Sequence, residues 1–298
     1  MEHDTEPNID RTPFSCTRDG LTIRGHVFRV ARISGAAQTV ATPATGAAQP
    51  TVEVHETANR TAQPQNAAVT PQTEKSPVVI MSHGFLGNET QLVKYANVLA
   101  RLGYVVLTFD FNGGGPDSTS SGKSIDMTVL TEKADLLAVI KYAESLENID
   151  TSSISLVGFS QGGFVSALVA AELKNRIKNL VLFFPALCIP DDARRGKMLV
   201  MDFDPQNIPP VICQDPMTVG RDYALTAQKL DAYKEISGYT GRTLIIHGTS
   251  DKAVNIEYSR KAKSVYKNLV YKEIEGADHG FTGADEEEAL RTLINFFT

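Results

Sequence analysis

Apolar and polar positions follow two rhythms along the chain. Near the start, two extended-type runs at 14–18 and 21–30 flank Asp19-Gly20, a residue pair that favours the tight turn of a β-hairpin. From residue 78 onward, short apolar runs alternate with stretches of helical spacing. The runs predict strands at 78–81, 104–109, 154–157, 180–184, 243–246 and 269–274. Between them, helices are predicted at 90–102, 127–146, 164–173, 259–266 and 286–297. The first of these puts Leu92, Tyr95, Leu99 and Leu102 on one face and stops at Gly103. Strands alternating with helices imply βαβ units. The expectation is an α/β fold with a mostly parallel central sheet and helices on both faces.

Two stretches break the rhythm. Residues 34–75 are mostly Ala, Thr, Gln, Pro and Val, with no aromatic residue and neither periodicity. Such a segment buries too little apolar surface to offset its ordering entropy, so it is expected to be a flexible low-complexity insertion between two strands. Residues 185–241 carry many prolines and mixed periodicity between two predicted strands. That is too long for an ordinary connection, and it reads as an inserted cap. The whole of 1–298 is then one domain carrying two insertions.

Composition narrows the picture. The chain has 298 residues, 42% hydrophobic, and a net charge of 29 − 35 = −6. That is enough chain for a core without disulfide or metal support. The mildly acidic balance gives no electrostatic reason to expect nucleic acid or an anionic membrane as partner. Cys16, Cys188 and Cys213 show no C-x-x-C spacing, against both a disulfide scaffold and a zinc site. The acidic N-terminus lacks the apolar region of a signal peptide, and the apolar stretch at 180–189 is too short to span a bilayer. A cytoplasmic protein is expected.

The chemistry gathers at strand ends. Gly158-Phe159-Ser160-Gln161-Gly162 lies where a predicted strand meets a predicted helix. A turn this sharp strains the central residue and lifts its hydroxyl above the sheet edge, at the N-terminus of the following helix. Serine needs a base to take its proton, and the base needs an orienting acid. In this architecture they should follow in the order serine, acid, histidine. His247 and His279 both lie after Ser160. His279, in the glycine-bearing loop after the last strand, is the favoured base, with His247 as the alternative. Asp251, in the loop after the preceding strand, is the favoured acid over Asp278, Asp191 and Asp192. The oxyanion donors expected are the backbone N–H groups of Gln161 and of Phe85, in His83-Gly84-Phe85. His83 is a ligand-facing candidate, though such a residue more often orients its loop by hydrogen bonding, and it is given no proton-transfer role.

These residues resemble the α/β-hydrolase superfamily, and within it the bacterial cinnamoyl (feruloyl) esterases. The likeness rests on H-G-F at 83–85, F-D-F-N-G at 109–113, G-F-S-Q-G-G at 158–163, H-G-T-S-D at 247–251 and E-G-A-D-H at 275–279. It covers nearly everything outside 34–75 and implies the α/β-hydrolase fold with a small cap after the sixth strand. It further implies that Asp192 and Tyr223 of the cap hydrogen-bond the phenolic hydroxyls of a hydroxycinnamoyl group. Leu199 stands where a cap glutamine is common, and Gly113-Gly114-Gly115 replaces the usual G-H-G.

The function expected is a serine carboxylesterase acting on feruloyl, caffeoyl or chlorogenate-like esters. Alternatives are a monoacylglycerol lipase-like or short-acyl esterase and, in another class, a catalytically silent binding module on the same scaffold. No metal or organic cofactor is expected. The partner expected is a small aromatic ester rather than nucleic acid or membrane, with homodimerisation left open.

Overall fold

The computed structural model describes residues 7–31, 75–199 and 201–298; of the insertion expected at 34–75, all but Lys75 lies outside them. The chain opens with β1 (Ile9–Arg18) and β2 (Leu21–Val30), a hairpin whose turn residues Asp19 and Gly20 both adopt positive φ, 50° and 80°. Then β3 (Ser76–Ser82), α1 (Val93–Arg101), β4 (Val105–Phe109), α2 (Val129–Glu144), β5 (Ile149–Phe159), α3 (Gln161–Leu173) and β6 (Ile177–Phe183) follow in strict alternation. After the residues read as a cap come β11 (Arg242–Gly248), α7 (Glu257–Ala262), β12 (Leu269–Ile274) and α8 (Gly283–Phe297).

Eight strands form one sheet in the order β1-β2-β4-β3-β5-β6-β11-β12. The hairpin pairs antiparallel, β2 pairs antiparallel with β4, and every later pairing is parallel. Parallel strands put all their C-terminal ends on one rim, which is where the loops carrying Ser160, Asp251 and His279 emerge.

Side chains of β3 alternate between two apolar layers. Val78 and Ile80 enter one, with Leu136 of α2 and Val169 of α3; Val79 and Met81 enter the other, with Leu99 of α1 and Leu293 of α8. The sheet is therefore covered on both faces, and its central strands read as continuous apolar runs for that reason.

The predicted boundaries moved where local chemistry was overlooked. The predicted helix at 90–102 is split into a 3₁₀ turn (Glu89–Leu92), capped by the Asn88 side chain, and α1. The start of α2 is fixed by a capping box between Thr128 and Thr131, and the helix ends at Glu144, so it is shorter at both ends than the predicted 127–146. Helix α3 begins at Gln161, earlier than predicted, directly behind the serine.

Between β6 and β11 the chain is built of small pieces. They are α4 (Ile189–Arg195), the hairpin strands β7 (Lys197–Met198) and β8 (Met201–Asp202), the paired strands β9 (Val211–Cys213) and β10 (Val219–Gly220), then α5 (Arg221–Gln228) and α6 (Ala232–Ile236). Tyr223 of α5 and Tyr239 are among its largest fully buried side chains.

Candidate active site

Ser160 sits between β5 and α3 at φ 51°, ψ −117°, a backbone conformation that L-residues rarely adopt. The strain is held by hydrogen bonds on both sides: Ser160 N–H donates to Phe183 O (2.9 Å), and Ser160 O accepts from Ala186 N–H (2.9 Å). The flanking glycines are required by close approach. A Cβ at Gly158 would lie 2.3 Å from Gly162 O, and one at Gly162 would lie 2.2 Å from His83 O.

His279 Nε2 stands 3.1 Å from Ser160 Oγ, and its Nδ1 stands 2.8 Å from Asp251 Oδ2. The Asp251 side chain has no exposure, while that of His279 is 25% exposed. Burial alone would raise the Asp251 carboxyl. Hydrogen bonds from His247, His279 and the Val254 N–H outweigh it and hold the group well below the usual carboxylate range. His247, the alternative base, is fully buried. Its Nδ1 meets Ser259 Oγ (2.7 Å), and its Nε2 lies 3.0 Å from Val254 O and 3.1 Å from Asp251 Oδ2. It braces the acid from behind and has no route to the serine. Asp278, the sequence neighbour of His279, is used as a clip between loops: it accepts from the N–H of Lys252 and pairs with Lys252 Nζ at 2.6 Å. Asp191 is engaged with Arg194 (2.5 Å) and with the Tyr258 hydroxyl (3.1 Å).

The loop after β3 presses against the serine, with an ideal Gly84 Cβ only 3.1 Å from Ser160 Cβ. Of the two roles open to His83, the structure shows the loop-orienting one and not the ligand-facing one. Its side chain is buried, its Nε2 accepts from Phe111 N–H (3.1 Å), and its Nδ1 lies 2.8 Å from Gly84 O. With one nitrogen accepting, the other must carry the proton and donate to Gly84 O. Burial lowers its pKa, so the ring stays neutral. Both nitrogens are spent on backbone, and the residue shapes the Gly84-Phe85 loop rather than facing a ligand.

Gln161, the residue behind the serine, is 1% exposed, and its side-chain amide is gripped from two sides. Nε2 donates to Glu132 Oε2 of α2 (2.7 Å), and Oε1 accepts from the Tyr223 hydroxyl of α5 (2.5 Å). Burial pushes the Glu132 carboxyl up to about 8 against the opposing hydrogen bond from Gln161. Burial also keeps the Tyr223 phenol neutral, well above its ordinary range.

Two hollows meet at Ser160. One, on the side of β7 and α5, is lined by Phe85, Ser160, Gln161, Asp192, Leu199 and Tyr223 among others and is nearly filled, at about 20 Å³. The other is open, about 420 Å³, and is lined by Phe85, Tyr95, Phe159, Ser160, Phe184 and His279 among others. Asp192 reaches the first hollow while paired with Arg195 on its own helix. Among the described residues, no group of three or more His, Cys, Asp or Glu side chains is placed to hold a metal ion, and no helix is long and apolar enough to cross a membrane.

The match to a known solved structure is extensive. Est1E from Butyrivibrio proteoclasticus, solved with ferulic acid bound, superposes with a TM-score of 0.75 over 95% of this chain and 97% of its own, at 28% identity. This chain has the α/β-hydrolase fold. The dienelactone hydrolase family model matches residues 65–210 of this α/β-hydrolase. Curated relatives match a shorter stretch. An uncharacterized 31.7 kDa protein in the traX-finO intergenic region of Escherichia coli is 35% identical over 108 residues, and the quorum-quenching protein AidA of Acinetobacter baumannii is 30% identical over 113. Each of those matches spans about a third of the relative's length, 36%.

Sequence reasoning missed two roles and one link in this α/β-hydrolase site. His247 was weighed as a rival base or as a histidine packed at a strand end, although an i, i+4 relation to Asp251 marked it as a neighbour of the acid. Glu132 was read as one position of a helix; a carboxylate on the apolar side of α2, between buried Val129 and Leu136, was the available signal. The link from Tyr223 to Gln161 spans 62 positions and left no local trace.

Proposed function

We propose that the protein is a serine carboxylesterase that hydrolyses hydroxycinnamate esters through an acyl-enzyme. The observation that carries this reading is the unbroken line from Ser160 Oγ to His279 Nε2 (3.1 Å) and from His279 Nδ1 to Asp251 (2.8 Å). His279 takes the Ser160 proton as Oγ attacks the ester carbonyl. The resulting imidazolium is stabilised by an Asp251 carboxylate already held ionised by its neighbours. The oxyanion is assigned to the backbone N–H groups of Gln161 and Phe85, at the dipole end of α3. His279 then protonates the leaving alkoxide, and water, activated by the same histidine, releases the acid.

Sidedness follows from proton transfer. The leaving oxygen must lie next to His279 Nε2, and His279 lines the open hollow but not the tight one. The alcohol portion therefore belongs in the open hollow of about 420 Å³. The acyl group points toward Asp192 and Tyr223, the pair assigned to its phenolic end. The cysteines Cys16, Cys188 and Cys213 are free thiols, in keeping with a reducing compartment, and a cytoplasmic location is part of this proposal.

A second reading is favoured by one feature of the structure. The acyl-side hollow of about 20 Å³ has room for little more than a water molecule, which suits a short acyl group. A cinnamoyl ring needs the hairpin of β7 and β8, with its exposed Leu199, to move outward. Purified protein and the Ser160→Ala variant, assayed on methyl ferulate, methyl caffeate and 4-nitrophenyl acetate, separate the readings. The first predicts that kcat/KM for the cinnamates exceeds that for the acetate; the second predicts the reverse. Loss of no activity in Ser160→Ala would refute both.

A further inference from the structure

The side chains around the acyl-side hollow form a directed hydrogen-bond relay that the hydrolytic steps do not use. Glu132 Oε2 accepts from Gln161 Nε2, so the amide is turned with its oxygen toward the cap. There Gln161 Oε1 accepts from the Tyr223 hydroxyl. A tyrosine hydroxyl has one proton to give and two lone pairs. With its proton committed to Gln161, Tyr223 has only lone pairs left for the hollow it lines. Asp192, which lines the same hollow, is paired with Arg195 through a carboxyl oxygen and is likewise an acceptor.

We infer that Glu132 is a positioning residue that fixes the hydrogen-bond polarity of the acyl pocket through Gln161 and Tyr223, so that the pocket selects acyl rings whose 4-substituent carries an O–H or N–H donor over rings with a 4-methoxy group. This rests on the hydroxycinnamate reading above. Glu132 lies on α2, behind Gln161, and is 1% exposed, so it acts without touching the substrate. Were the carboxyl removed, Gln161 Nε2 would keep only the weak Met127 Sδ acceptor (3.6 Å), and the amide could turn its Nε2 toward Tyr223. The phenol proton would then be released toward the ligand, and an ether oxygen would become an acceptable partner. A pocket of acceptors facing an ether leaves its lone pairs buried and unmatched, a loss of about tenfold or more in kcat/KM.

The test compares methyl 4-hydroxycinnamate with methyl 4-methoxycinnamate. Wild-type enzyme should favour the hydroxy ester by about tenfold or more in kcat/KM, and Glu132→Leu should reduce that ratio by about fivefold or more. General damage to the fold would lower both esters alike and leave the ratio standing, so a Glu132→Leu ratio within about twofold of wild type overturns the inference. Should Glu132→Leu fail to fold, the wild-type enzyme still decides on a wider series. The 4-hydroxy and 4-amino esters should outrun the 4-methoxy and 4-dimethylamino esters, and equal rates across the series overturn the inference alone. If no cinnamate is hydrolysed while 4-nitrophenyl acetate is, the hydroxycinnamate reading falls and the inference falls with it.

Discussion

The rim of the sheet and the cap above it are built in different ways. At the rim, each reactive side chain is over-determined. Ser160 is locked by backbone bonds on both sides, and Asp251 is held by His247, by His279 and by the N–H groups of Ala253 and Val254. The cap is made of two-residue and three-residue strands and short helices, and at its edge Leu199 is 58% exposed with φ 54°. On the proposed reading, the hydrolytic chemistry sits on parallel strand ends, while the part that would admit different acyl groups is held by fewer and shorter elements. Gln161 joins the two: its backbone stands beside the nucleophile and its side chain reaches a cap tyrosine.

The comparison breaks first at the nucleophile. Ser160→Ala should lower kcat/KM on every ester by about 10⁴-fold or more without loss of fold, checked by turnover and circular dichroism. Asp251→Asn should cost about 10³- to 10⁴-fold, because the His279 tautomer is no longer imposed. At the elbow, Gly162→Ala places a Cβ 2.2 Å from His83 O; it should destabilise the fold by about 3 kcal/mol or more, read by chemical denaturation.

A smaller effect concerns pH. The Glu132 carboxyl titrates at about 8 in the fold, above the ordinary 4.3 or so of an unfolded chain. The native state thus binds more protons than the unfolded one between those values, and stability falls as pH rises through that window. Glu132→Gln removes the term. Its melting temperature relative to wild type should rise between pH 5 and about 8 and level off above, by an amount worth up to a few kcal/mol. The smallest change is expected at the cap edge, where Leu199→Gly, a residue that suits positive φ, should shift the ferulate-to-acetate ratio upward by a few-fold while leaving the elbow untouched.

The rim was far more legible than the cap. A strand, a glycine-flanked serine and a helix are adjacent in sequence, so their geometry follows from local rules. The loops bearing Asp251 and His279 were placed by strand alternation alone. The sequence left His83 between facing a ligand and orienting its own loop, because its hydrogen bond with Phe111, 28 positions away, is decided by tertiary packing. Glu132, Gln161 and Tyr223 come from three separate elements, and only the packing of α2, α3 and α5 brings them together. The filling of the acyl-side hollow depends on side-chain volumes across the cap, which no periodicity reports.

In the proposed mechanism, Ser160 becomes covalently modified with His279 as its base. Intact-mass and peptide mapping after exposure to a fluorophosphonate test this directly. The predicted result is one adduct per chain, on the peptide carrying Ser160, absent in Ser160→Ala and much slower to form in His279→Ala. An adduct on another residue, or labelling undiminished in Ser160→Ala, would contradict it.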